Sequence, residues 1–241
     1  MATLISWNCR GFQNKSAELR DLINKHKPAC IALQETFLKA DKHSIRQYKI
    51  YSKHHIADRA SGGVAILSAT DIPTIPVTLN TNLQAVAIRI QTHSLITVCS
   101  LYLPPSERVS QTDLNNLIHQ LPSPFIISGD LNGHSSLWGS SDSNSRGLQI
   151  EQFIADHNLC LLNSDEKTHF HLPTRTFHSV DLAICSPPLL PFLPLRGTSS
   201  LDVTGFTTPR YPSVLSPFEF CLLFEFQLFL PSLEGRRGSS P

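Results

Sequence analysis

The sequence predicts an α+β domain built on mixed β-sheets, followed by a tail of different character. Three observations carry this expectation. An apolar run over residues 3–8, a helical pattern over 15–26 and a second apolar run over 30–34 form a βαβ opening. Short apolar runs then follow too closely for helical crossovers, so antiparallel neighbours are expected beside the parallel ones. After Ser186 the composition turns to proline, leucine and phenylalanine.

The elements follow in order. Leu19, Leu22 and Ile23 share one helix face, and Pro28 stops that helix. Residues 48–52 and 64–67 read as strands, with Gly62-Gly63 as punctuation between them. Val86, Ile88 and Ile90 alternate with smaller or polar residues, as a half-buried strand does. Residues 95–102 form another strand, ended by Pro104-Pro105. Ser110 and Asp113 have capping-box spacing, and Leu114, Leu117, Ile118 and Leu121 mark one face of the helix they open. Residues 125–128 form a strand running into Gly129-Asp130. A helix over 147–157 turns Phe153 and Ile154 inward, and strands follow over 159–162 and 179–184.

Residues 187–195 read Pro-Pro-Leu-Leu-Pro-Phe-Leu-Pro-Leu, and prolines recur at Pro209, Pro212, Pro217 and Pro231. Repeated proline opposes helix and central strand alike. Residues 1–186 are therefore assigned to the domain. Residues 187–241 are expected to be a poorly ordered or non-native terminus.

Composition narrows the function classes. At 241 residues and 41% hydrophobic content, the chain can bury a large core, which excludes global disorder. A net charge of +1 is no bulk signature of nucleic-acid binding, so any such contact must come from a local patch. Six cysteines are scattered without a C-x-x-C pair, and several sit among apolar neighbours, as Cys30 and Cys160 do. They read as reduced core thiols rather than zinc ligands. The chain opens with no basic-then-apolar leader and has no apolar run that would span a bilayer. A reducing nuclear or cytoplasmic compartment is expected, without secretion or membrane attachment.

The candidate chemistry lies at strand ends. Asn8, Glu35, the Asp130/Asn132 pair and Asp181 each stand where a strand delivers a polar group to a cleft. Glu35 and Asp130 can together hold one hard cation, because Mg²⁺ takes one or two carboxylates plus water and phosphate. Singly, each fits a turn or a helix cap as well. Gly129-Asp130-Leu131-Asn132-Gly133 is the sharpest local feature. Its glycines permit close backbone approach to a ligand, and Asp130 and Asn132 would share a face if the strand continued. An ordinary Asx turn accounts for the same residues. Tyr102 can donate to a phosphate oxygen or serve as a rim residue. Arg146, near a helix start beside Asn144, fits a phosphate site or a solvent loop. Thr168, His169, His171 and His178 can contact substrate or simply lie on the surface of a hairpin. No phosphate-binding loop, nucleophile elbow or zinc-protease pattern occurs.

Read in order, these motifs resemble the endonuclease/exonuclease/phosphatase superfamily. The matching segments are Ser6-Trp7-Asn8, Leu33-Gln34-Glu35-Thr36, Gly62-Gly63-Val64-Ala65-Ile66, Tyr102-Leu103-Pro104-Pro105, Gly129-Asp130-Leu131-Asn132 and Ser179-Val180-Asp181-Leu182. The opening Trp7-Asn8-Cys9-Arg10-Gly11, Gly133-His134 with Leu137-Trp138-Gly139, and Asn144-Ser145-Arg146-Gly147 are similar to the apurinic-type endonuclease domains of Jockey-like non-LTR retrotransposons. The resemblance covers about residues 3–186 and implies a four-layer α/β/β/α sandwich.

The resemblance also implies Mg²⁺, with Mn²⁺ as a substitute, and cleavage of a DNA phosphodiester to leave a 3′-hydroxyl that primes reverse transcription. By this likeness Glu35 holds the metal with Asn8 beside it, and Tyr102 contacts the phosphate. Asp130 activates or holds the attacking water, Asn132 stabilises charge on phosphate oxygens, and Asp181 orients a histidine. Thr168, Arg146, Asn144 and His134 are the DNA- and phosphate-binding candidates. A monomeric domain acting on DNA is implied, with element RNA as a partner through a longer polyprotein.

One departure stands out. The family closes with Ser-Asp-His and an apolar strand, whereas the last histidine here is His178. Asp156-His157 lies in a helical stretch and is followed by Asn158, so it is not that motif. Impaired catalysis and a sheet lacking its last strand are therefore expected. A phosphatase or phospholipase of the same superfamily, or a catalytically dead nucleic-acid-binding remnant, are the alternatives.

Overall fold

The computed structural model describes residues 2–39, 43–55, 61–92, 94–163, 169–171, 176–192 and 221–226. The chain opens with β1 (Ala2–Asn8), α1 (Ser16–His26), β2 (Cys30–Gln34), β3 (Tyr48–Lys53) and β4 (Val64–Ala69). β5 (Thr74–Val77), β6 (Gln84–Gln91), β7 (Leu95–Tyr102), α2 (Gln111–His119) and β8 (Phe125–Asp130) follow. α3 (Ser145–Asp156), β9 (Cys160–Leu161), β10 (His169–His171), β11 (Thr176–His178), β12 (Asp181–Cys185) and β13 (Cys221–Phe226) complete it.

Two sheets result. The first is five-stranded in the order β13-β1-β2-β4-β3, and the second six-stranded in the order β5-β6-β7-β8-β12-β9. β1 pairs parallel to β2 and β7 to β8, and the other neighbours are antiparallel, so both sheets are mixed. β10 and β11 form a separate antiparallel pair.

Side-chain alternation divides the core into three apolar layers. Ile5, Trp7, Ile31 and Leu33 of the first sheet pack outward against Leu19 and Leu22 of α1. Ala85, Cys99, Leu101, Ile127 and Leu182 of the second sheet pack outward against α2 and α3 through Leu114, Leu117, Ile150 and Phe153. Leu4, Cys30 and Ile66 meet Ile88, Val98, Ile126 and Ala183 between the sheets. The architecture is the expected α/β/β/α sandwich. None of the described helices is long and apolar enough to cross a membrane.

The structure adds detail at four points. β6 is covered on both faces rather than half-buried: Ala85 and Ala87 serve one cluster, Ile88 and Ile90 the other. β5 is an added strand that contains Pro76, tolerated because β5 is an edge with a single neighbour. The chain after Ser186 contributes regular structure, a 3₁₀ turn over Pro187–Phe192 and β13. β13 pairs with β1 from Ala2↔Phe226 to Trp7↔Cys221 and forms the edge of the first sheet. The rest of the 187–241 segment lies outside the described residues.

The glycines of the Asp130 motif also work differently from expectation. They bring protein backbones together. A Cβ on Gly129 would lie 1.9 Å from the Leu101 carbonyl oxygen, and one on Gly133 would lie 3.3 Å from the backbone N and Cα of Gly147. The β8 strand ends at Asp130, and Asn132 turns away with φ 50°. Asp130 and Asn132 therefore do not share a strand face.

Candidate active site

The space between the sheets is apolar at one end and polar at the other. Buried Ser6, Gln34, Gln84, Ser100, Ser128, Asp130 and Asp181 lie on the strands that converge on the polar end. Asn8 joins the two sheets there. Its Nδ2 donates to Glu35 Oε1 and to Asp130 Oδ2, each at 2.8 Å. One amide thus uses both of its N–H groups on two carboxylates from opposite sheets. Its Oδ1 accepts the Arg10 backbone N–H at 3.3 Å.

Glu35 leaves β2 with φ 49°, a left-handed conformation that aims its carboxylate into the cleft. The segment after it is braced by Gly62-Gly63. Thr36 and Phe37 donate their N–H groups to the carbonyls of Gly63 and Gly62. Gly63 N–H in turn donates to Gln84 Oε1 at 2.6 Å, and Gln84 Nε2 donates to Glu107 at 3.3 Å. Just beneath, Gln34 Nε2 crosses to Ser100 Oγ of the other sheet at 3.0 Å.

Asp130 is 6% exposed. Burial pushes its carboxyl up to about 7, with the Glu35 charge adding to the rise. Hydrogen bonds from Asn8 and from the Asn132 backbone N–H oppose it, as does the nearby Arg10 charge. Tyr102 hydrogen-bonds Glu35, and its phenol is held above its ordinary value by burial and then by the Glu35 and Asp130 charges. It remains a neutral donor, buried within the site. Asp181 stands directly opposite Asp130 in the β12–β8 ladder.

Asn132 lies beside this group. Its N–H donates to Asp130 Oδ1 at 3.1 Å, an Asx-type bond, and its Nδ2 donates to the Leu103 carbonyl at 3.2 Å. The motif therefore forms an Asx turn with Asp130 at its start. Asn144 caps α3: its Oδ1 accepts the N–H groups of Gly147 at 2.7 Å and His134 at 3.0 Å. His134 Nδ1 lies 3.5 Å from Asp142. Arg146 reaches the Glu107 carbonyl at 2.6 Å and the Leu103 carbonyl at 3.5 Å, tying the loop after Tyr102 to α3. Thr168 lies outside the described residues.

Arg146→Ala separates a structural tie from a phosphate contact. Loss of the tie is expected to lower stability by about 1 kcal/mol, read as a drop in thermal midpoint. A phosphate contact would instead lower the salt slope of DNA binding by about one unit with the midpoint unchanged.

Sequence reasoning assigned no role to Arg10, Gln34, Gln84 and Glu107, although Arg10 and Gln34 lie within motifs that carry the resemblance. Gln34 had a signal: a long polar side chain at the end of a fully apolar strand. The others depend on pairing between distant segments.

Among the described residues, no three His, Cys, Asp or Glu side chains gather in metal-ligating geometry. A hard cation that keeps water and phosphate in its shell needs only one or two carboxylates. Glu35 and Asp130, held by one amide, meet that requirement, and a cation bound beside them would relieve their mutual repulsion.

Comparison with known proteins agrees with this fold. Residues 96–205 match the family model described as endonuclease-reverse transcriptase. The chain is 30% identical over 183 residues to the RNA-directed DNA polymerase from mobile element jockey of Drosophila melanogaster, covering 74% of this chain and 20% of that protein. It is 26% identical over 196 residues to the Drosophila funebris counterpart, covering 79% of this chain and 20% of that one. The chain thus spans about a fifth of the length of the curated relatives it matches. Among solved structures, the endonuclease domain of TRAS1, a telomere-specific non-LTR retrotransposon, superposes with a TM-score of 0.73 at 24% identity, covering 94% of this chain and 98% of that one. The 3′-5′ exonuclease NExo from Neisseria meningitidis superposes with a TM-score of 0.67 at 15% identity, covering 93% and 99% of the two chains.

The family match, the relatives and the shared fold together define a domain of the endonuclease/exonuclease/phosphatase superfamily. Within that class, the chain belongs with the endonuclease domains of Jockey-like non-LTR retrotransposons.

Proposed function

We propose that the chain is a divalent-metal-dependent DNA endonuclease domain that hydrolyses a phosphodiester and leaves a 3′-hydroxyl for target-primed reverse transcription. The observation that carries this reading is the Asn8 amide bridging Glu35 and Asp130 across the two sheets. Glu35 and Asn8 would hold Mg²⁺ or Mn²⁺, with Asp130 within reach. The ion would neutralise phosphate charge and polarise its oxygens. Tyr102, kept as a neutral phenol, donates to a phosphate oxygen. Asp130 takes a proton from the attacking water, a role suited to a carboxyl near pH 7. Asn132 donates to the phosphate oxygens as charge builds there. His134, Asn144, Arg146 and Thr168 stand as contacts to the DNA backbone.

Catalysis in this chain is impaired. No histidine follows His178, so β13 arrives at the site end of β1 without the imidazole that Asp181 would orient. Loss of a general acid or base costs about 10²- to 10⁴-fold in rate. The domain works as a monomer within a longer polyprotein that carries the reverse transcriptase and engages element RNA. It acts in a reducing nuclear or cytoplasmic compartment.

Supercoiled plasmid incubated with the full chain and Mg²⁺ or Mn²⁺ tests the reading. Slow nicking is expected, lost in EDTA, with ends that a DNA polymerase extends. Ends that cannot be extended would overturn the 3′-hydroxyl assignment. Fast Mg²⁺-dependent nicking that Asp130→Ala abolishes would overturn the impairment. Turnover of inositol phosphates or phospholipids in place of DNA would favour a phosphatase-type activity. Salt-sensitive DNA binding without any turnover would favour a remnant.

A further inference from the structure

Cys160 and Cys185 stand directly opposite each other in the β12–β9 ladder. Both face the layer between the sheets: Cys185 belongs to that core, and Cys160 packs against it. The Leu162 N–H donates to the Ala183 carbonyl at 2.8 Å, which makes Leu162/Ala183 a narrow, hydrogen-bonded pair. Two residues along, Cys160/Cys185 occupies the same kind of position. Partners there have Cα atoms about 5.5 Å apart, inside the disulfide range of about 4.4–6.8 Å.

The two thiols differ in access. Cys185 is fully buried, while Cys160 is partly exposed on an edge strand of two residues. We propose that Cys160 and Cys185 are a reversible thiol–disulfide pair, a modification site at the edge of the six-stranded sheet. It lies away from the proposed catalytic end. Asp181 and Cys185 are four residues apart on β12, about 13 Å along an extended strand.

The chemistry balances with a small disulfide such as oxidised glutathione as oxidant. The Cys160 thiolate attacks one sulfur of the oxidant, whose S–S bond breaks and releases one glutathione thiolate. That thiolate takes up the proton lost by Cys160. The Cys185 sulfur, after losing its own proton, attacks Cys160 Sγ in the mixed disulfide and expels the second glutathione, which takes that proton. Two thiols have given two electrons, and the oxidant has become two glutathione thiols.

The order of attack follows from the surroundings. The Cys185 thiol is pushed up to about 12 by burial and by Cys160, so it is the poorer first nucleophile. Closing the bond needs a small approach of the two backbones, because opposed Cβ atoms lie about 4.5–5.5 Å apart against about 3.5–4.5 Å in a disulfide. β9 is held on one side only and can supply it. A bond formed with that strain is readily reduced, which makes the modification reversible.

The full chain is incubated with oxidised glutathione under native conditions, alkylated and peptide-mapped by mass spectrometry. A peptide linking Cys160 to Cys185 is expected, and dithiothreitol should remove it. A glutathione adduct that persists on Cys160 in the wild type, or a link to another cysteine, overturns the proposal. Cys185→Ser should accumulate a stable adduct on Cys160, since nothing resolves it. Cys160→Ser should slow modification of Cys185 by about tenfold or more, and equal rates would overturn the assigned order. The wild-type map decides the linkage even if either variant fails to fold.

Discussion

Asp130→Asn is expected to abolish the residual metal-dependent nicking and, above pH 7, to raise the thermal midpoint of the metal-free protein. The activity loss follows from removing the carboxylate that faces Glu35 through Asn8, and should be about 10²- to 10⁴-fold. The stability gain follows from burial. In the folded chain this carboxyl holds its proton up to about pH 7, against an ordinary value of 3.8. Between those values the folded state binds more protons than the unfolded one, so stability falls as pH rises through the window. Above pH 7 the wild type carries the full penalty of a buried charge beside Glu35. The amide carries none, although its NH₂ faces the Asn8 amide and loses one hydrogen bond, about 1 kcal/mol.

Thermal melts in EDTA at pH 5 and pH 8 check this. The gain should appear at pH 8 and shrink or reverse at pH 5. Each 1 kcal/mol corresponds to about 2–4 °C in a domain of this size. The same shift at both pH values would remove the electrostatic explanation. Mn²⁺ affinity, read by calorimetry, should fall in parallel with nicking.

Gly129→Ala should cost roughly 4–5 kcal/mol, a large part of the stability of a typical domain. The added Cβ would lie 1.9 Å from the Leu101 carbonyl oxygen and 2.9 Å from its carbonyl carbon. Both obstacles are backbone, so no side-chain rotamer relieves them. Gly129 and Leu101 lie on β8 and β7, a parallel pair in the middle of the six-stranded sheet. Separating the strands would also displace the bond from Leu103 N–H to the Asp130 carbonyl, at 3.0 Å, and with it the site. Chemical denaturation should show a greatly lowered midpoint or an unfolded baseline. A midpoint within about 0.5 kcal/mol of the wild type would sink the close-approach argument.

Most elements were legible because their local signals agree. The capping box at Ser110 and Asp113 forms as its spacing predicts. The apolar face of α1 buries Leu19 and Leu22. The site acids were legible as strand-end residues, since Glu35 follows β2 and Asp130 ends β8. β13 was not legible. Cys-Leu-Leu-Phe-Glu-Phe has no period of two, and the prolines around it oppose a strand. What makes it one is the open edge of β1, whose unpaired N–H and C=O groups accept a neighbour. β5 was hidden for a related reason: Pro76 is admissible only because that strand has one partner.

The amino-acid sequence alone determined most elements up to β12, the mixed sheets and the residues that stand at strand ends, because each depends on local periodicity and punctuation. The tertiary structure decided which of those ends meet. Asn8 and Asp130 are 122 positions apart, and only face-to-face packing of the two sheets sets one amide between two carboxylates. The same packing turned Gly129 from a ligand-facing residue into a contact between strands and set Arg146 against a loop carbonyl. Distances between remote segments follow from how layers stack, and no local pattern encodes them.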